Sequence, residues 1–172
     1  MKLKIALLSA LMALNLSALT VGETPKEVVI GGDNGGLVAG GDWKSSSIKD
    51  KVYVVFYVDP DEKSVNEHYS KALKEKKYRE KGAFGSMAII NLAATWKPNF
   101  VIEKILSSKQ EEFPKTIYVK DKNSVLVKEW DVADDASNIL IFDKTGKLLF
   151  YKSGKMSDAD MTKSFELIEA NL

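Results

Sequence analysis

"KVYVVFYVDPDEKSVNEHY", residues 51–69, is the stretch that decides the fold. Its first part, "VYVVFYV" at 52–58, is a near-continuous apolar run, as a strand covered on both faces requires. A polar loop follows with Asp59, Pro60, Asp61 and Glu62. Ser64, with Glu67 three residues on, has the form of a capping box that would start a helix. Val65, Tyr69, Ala72 and Leu73 then mark one helical face, and "KEKKYREK" at 74–81 reads as its solvated end. This is a strand–loop–helix unit.

Working outward, "MAIINLA" (87–93) reads as a second strand and "NFVIEKILSS" (99–108) as a second amphipathic helix. "TIYVK" (116–120) and "VLVKEW" (125–130) read as a strand pair around a polar turn. "NILIFDKTGKLLFYKSG" (138–154) is a hairpin turning at Asp143 to Gly146. Ser157 is placed to cap a terminal helix, with Met161, Phe165, Leu167 and Ile168 toward the core. Before the first long strand, "EVVIGGDNGGLVAGG" (27–41) reads as two short strands around a glycine-rich turn. A phosphate loop there is disfavoured, because Asp42 follows Gly36 and Gly41 where a lysine belongs. The order predicts an α/β fold, a mixed sheet flanked by helices with an N-terminal hairpin extension.

Residues 1–22 read as a signal peptide: Lys2 and Lys4, an apolar run from Ile5 to Leu16, then small residues. The run is short of the roughly 20 apolar residues that span a bilayer, so no stable membrane insertion is expected once the leader is removed. No cysteine follows it, which excludes a lipid-anchored lipoprotein. Residues 23–172 are expected to form a single domain, soluble in the periplasm. The chain carries 25 basic and 24 acidic side chains, a balance without the basic excess that nucleic-acid binding draws on.

The element order and several phrases resemble the thioredoxin-like fold in its exported peroxiredoxin and cytochrome-maturation form. "VGETPKEVVI", "IKDKVYVVFYVD" and "WDVADDASNILIFDKTGKLLFYKSG" carry that likeness. Within it, the chain is similar to the YtfJ family of exported bacterial proteins. Asn91 after the second strand, Trp130 before an acidic stretch and Ser137, and the Asp143–Gly146 turn are the points of likeness. The resemblance would place the paired cysteines near Glu62 to Val65 and the facing cis-proline near Ser137. Neither is present, and the whole chain has no cysteine. Thiol–disulfide exchange and cysteine peroxidase chemistry both need a thiolate, so both are excluded.

What remains is a candidate binding surface: Asp59, Asp61, Glu62, Ser64, Trp96, Trp130 and Ser137. It would take an extended polypeptide or another envelope protein, with no cofactor, no metal and no nucleic acid. Capping and the helix dipole account for most of the carboxylates. Pro60 and the spacing fit no EF-hand loop. The sole histidine, His68, is expected at the edge of the helix or in solvent, and no Gly-x-Ser-x-Gly elbow accompanies it. Trp43 is expected in the core. The rival readings are a metal- or carboxylate-dependent hydrolase using Asp59 to Glu62 and, more remotely, a transcriptional regulator, which export and neutral charge oppose.

Overall fold

The computed structural model describes residues 19–172; the body of the expected leader lies outside the described residues. Six strands form the main sheet, in the order β2 (Gly35–Leu37), β6 (Thr116–Asp121), β5 (Phe84–Asn91), β4 (Val52–Val58), β7 (Ser137–Phe142), β8 (Leu148–Ser153). β4, β5 and β6 run parallel, while β2, β7 and β8 are antiparallel to their neighbours. The apolar run at 52–58 is the reason β4 sits in the middle: six of its seven residues are buried.

The helices α1 (Glu67–Glu75) and α2 (Asn99–Glu112) are the crossovers that parallel strands need. α1 and the terminal helix α4 (Asp158–Asn171) cover Val52, Val54, Ile139 and Ile141 through Tyr69, Leu73 and Ile168. α2 packs Ile102 and Leu106 onto Ile90 and Tyr118. The other face carries Tyr53, Val55, Tyr57, Met87 and Leu140, closed by Trp43 and by α3 (Val125–Trp130). As expected, Ser157 caps α4: its Oγ accepts from Asp160 N–H, and the Asp160 carboxylate accepts from Ser157 N–H.

Three local expectations are corrected. Residues 125–130 form a helix, not a strand. The buried Asp121 carboxylate accepts from the N–H groups of Val125 (2.9 Å) and Leu126 (3.1 Å), which fixes the first turn and buries Leu126 and Trp130 four residues apart. The glycine-rich segment is not a hairpin on itself. β1 (Val29–Ile30) pairs with β3 (Trp43–Lys44), whereas β2 pairs with β6. Gly35 and Gly36 allow close passage: a Cβ on Gly35 would lie 2.1 Å from the Lys120 carbonyl oxygen. Finally, α1 begins at Glu67 rather than Ser64, and Ser64 makes no side-chain cap.

Candidate functional site

β4, β5 and β6 end on one side of the sheet, where open α/β sheets ordinarily place their ligands. The loop leaving β4 is a chain of tight turns. Asp59 N–H donates to the Ala136 carbonyl (3.0 Å), and Asp59 Oδ1 accepts from Asp61 N–H (2.8 Å). Glu62 N–H reaches back to Asp59 O, Val65 N–H to Glu62 O and Glu67 N–H to Ser64 O. Asp61 then ties this loop to the one after β5: its carboxylate accepts from Thr95 Oγ1 (2.7 Å) and pairs with Lys97.

The late helix start has its cause in Asn66. Its Nδ2 donates to Ser137 Oγ (3.0 Å) and the Gly154 carbonyl (2.9 Å), while its Oδ1 accepts from Met156 N–H (2.8 Å). The residue is buried, with non-helical backbone angles of φ −113° and ψ 27°. Ser137, where the resemblance sets a proline, is therefore a hydroxyl facing an amide. His68 does not lie free in solvent. It is half-buried, and its Nε2 donates to the Met156 carbonyl (2.9 Å). Asn66 and His68 together staple α1 to the segment between β8 and α4.

Beside this loop lies a buried polar group of the opposite face. Tyr57 OH donates to Asp121 Oδ2 (3.1 Å), and burial first, then Asp121, pushes its phenol far above the ordinary range. Asn138 Nδ2 donates to the carbonyls of Tyr57 and Ala133, and Tyr151 OH donates to Asn138 Oδ1. Asn91, one point of the family likeness, donates to Asp134 (2.8 Å) and accepts from Ser124 Oγ (2.9 Å). Asp59 is raised above the usual carboxylate range by its burial, then by the charges of Asp135, Glu62 and Asp134. Among the described residues, no three His, Asp or Glu side chains are grouped to hold a metal ion.

The expected site residues therefore divide. Asp61 and Ser64 are exposed and Glu62 half-buried, whereas Asp59 and Ser137 are buried within the loop's own hydrogen bonding. Trp130 is corrected to a core residue. Its indole N–H donates to the Lys26 carbonyl (2.8 Å), and its ring packs edge-on against Trp43 and tilted against Phe142. Trp96 is the opposite case, 85% exposed, with Lys97 Nζ 5.8 Å from its ring centroid. Phe100, 74% exposed, is a residue that sequence reasoning missed, as are Val101 and Ile105 at helical spacing beyond it. Their signal was present in "NFVIEKILSS", which has more apolar positions than one buried face of α2 can use.

This architecture is a thioredoxin-like fold. It resembles the crystal structure of a protein assigned as the thiol:disulfide interchange protein DsbE of Chlorobium tepidum, with a TM-score of 0.63 at 15% identity over 90% of this chain and 99% of that one. The model of the family described as "Bacterial protein of unknown function (YtfJ_HI0045)" matches residues 25–171, and the chain belongs to that family. An uncharacterized protein of Haemophilus influenzae is 36% identical over 59 residues, 34% of this chain and 32% of its own length. A protein described as the sucrose operon repressor of Vibrio alginolyticus is 40% identical over 42 residues, 24% of this chain and 45% of its own. The matches thus span less than half the length of either curated relative.

Proposed function

We propose that this chain is an exported, redox-inactive thioredoxin-like module that binds a protein partner in the periplasm. The observation that carries the reading is the exposure of four large apolar side chains within ten residues of sequence, Trp96, Phe100, Val101 and Ile105. They follow directly on the loop that Asp61 and Lys97 brace. Solvated single apolar residues are ordinary, but two aromatic rings exposed to 85% and 74% in one short segment are of the type that anchors a partner. The absence of any cysteine leaves the fold's thiol chemistry without its nucleophile, which favours a binding role over a redox one. Lys2, Lys4 and the apolar run after them support export.

Among the described residues no helix is long and apolar enough to cross a membrane. The test is cross-linking and affinity capture from the native envelope, comparing wild type with a Trp96→Ala/Phe100→Ala variant whose fold is checked by circular dichroism. A partner whose recovery falls about tenfold in the folded double variant supports the reading. Equal recovery from both proteins would sink it.

A further inference from the structure

The beginnings of β4, β5 and β6 lie at the opposite end of the sheet from the Asp59–Asn66 loop. There the chain opens a cavity of about 400 Å³ whose lining includes Lys51, Tyr53, Arg79, Ser86, Lys115 and Ile117. Three cationic side chains thus border one hollow, and none of them forms an ion pair among the described residues. Arg79 is the anchored one. Its Nη2 donates to Thr116 Oγ1 (2.7 Å) and to Ser86 Oγ, hydroxyls that sit side by side on β5 and β6. No hydrogen bond within the described structure uses its Nη1 or Nε.

The hollow wraps the beginning of the sheet, since strand alternation sets Tyr53, Gly85 and Ile117 on the face opposite Ser86 and Thr116. Tyr53 stands opposite Gly85 across β4 and β5, and a Cβ on Gly85 would lie 2.3 Å from the Tyr53 ring. Burial of the guanidinium works against its charge, and the Asp50 carboxylate bears on the Tyr53 phenol, so the hollow is not uniformly positive. A guanidinium fixed by two hydroxyls, with free N–H groups and two lysines at the rim, has the geometry that planar bidentate recognition of an oxyanion uses. The volume is within the range of small-ligand sites.

We infer that this cavity binds a phosphate-type oxyanion: Arg79 holds it in a fork, Lys51 and Lys115 neutralise the second charge, and Tyr53 and Ile117 face its organic part. A soluble phosphate monoester and the headgroup of an anionic phospholipid present the same chemistry. The inference does not rest on the protein-binding reading, since the two sites share no residue.

The experiment is calorimetric titration of the full chain with phenyl phosphate at low ionic strength, beside flotation with phosphatidylglycerol and phosphatidylcholine vesicles. Saturable binding of phenyl phosphate identifies a soluble ester as the source. Retention on phosphatidylglycerol vesicles alone identifies the headgroup. In either case Arg79→Gln should weaken binding at least about tenfold, and Lys155→Gln should leave it unchanged. Should Arg79→Gln fail to fold, the surface double variant Lys51→Gln/Lys115→Gln carries the same expectation. Wild type that binds neither probe, or binding that these variants leave intact, overturns the inference.

Discussion

The two ends of the central sheet solve opposite problems. At the end where β4, β5 and β6 finish, polar groups are spent on one another: Asn66 on Ser137, Gly154 and Met156, and Asp61 on Thr95 and Lys97. At the end where they begin, Lys51, Arg79 and Lys115 border a cavity, and none of the three forms an ion pair among the described residues. In an open α/β sheet the first end is where ligands are ordinarily placed. Here hydrogen bonds close the loop on itself, and the large apolar side chains of Trp96 and Phe100 are exposed alongside. At the far end three cationic side chains line one hollow instead.

The largest expected effect breaks the first end. Asn66→Ala removes three hydrogen bonds at a buried position and leaves Met156 N–H and the Ser137 hydroxyl without their partner. Stranding buried polar groups costs about 1–3 kcal/mol each at most, so a loss of about 2–4 kcal/mol is expected on urea unfolding. A loss under about 1 kcal/mol would show that this end is not held by the amide. Asp121→Ala should follow at about 2–3 kcal/mol, because α3 loses its N-terminal acceptor and Tyr57 OH loses its own. Trp96→Ala/Phe100→Ala should cost little stability while diminishing partner capture, since both rings are solvated.

What could be read in advance, and what could not, follows the range of the forces. β4 was legible because its apolar run is local, and the β7–β8 hairpin because Asp143–Gly146 is a turn within itself. The α4 cap needs only Ser157 and Asp160, three residues apart. The helical nature of 125–130 was not legible, since six residues are too few to separate the two periodicities and the decisive acceptor, Asp121, precedes the segment. Asn66 reads in sequence as one more polar residue near a helix start; its partners lie 71 to 90 residues away. Trp130 precedes an acidic stretch that suggests a loop, yet its burial depends on Lys26, 104 residues upstream.

pH offers a smaller probe with opposite signs in two regions. The folded state raises the pKa of Asp59, so its charge opposes folding above that pKa. Stability should therefore rise as pH falls from neutral through the raised value toward the ordinary carboxylate pKa of about 3.9. Asp160 is held down to about 2 by hydrogen bonds from Ser157 and by Lys152. Its contribution is present above the ordinary carboxylate pKa and is lost as pH falls toward 2. Asp59→Asn keeps a carbonyl for the Asp61 N–H and should flatten the upper part of the profile only. Chemical unfolding across this range checks it; an unchanged upper slope would remove Asp59 as its source.

The smallest stability effect should come from the contact that joins the two loops of the first end. Asp61 and Lys97 are each about a third exposed, at 36% and 37% of their side chains, so water screens much of their attraction. Asp61→Ala should cost only about 0.2–1 kcal/mol. Its effect on partner capture should be larger than that, because Thr95 and Lys97 flank Trp96 and lose their common acceptor. A binding surface assembled from two loops is sensitive to their registration even where the fold is not. Capture that tracks stability alone across Asp61→Ala, Lys97→Ala and the double variant would mean the ion pair is incidental. Capture that falls in each single variant, with little further loss in the double, would mean the pair acts as one unit that positions the exposed rings.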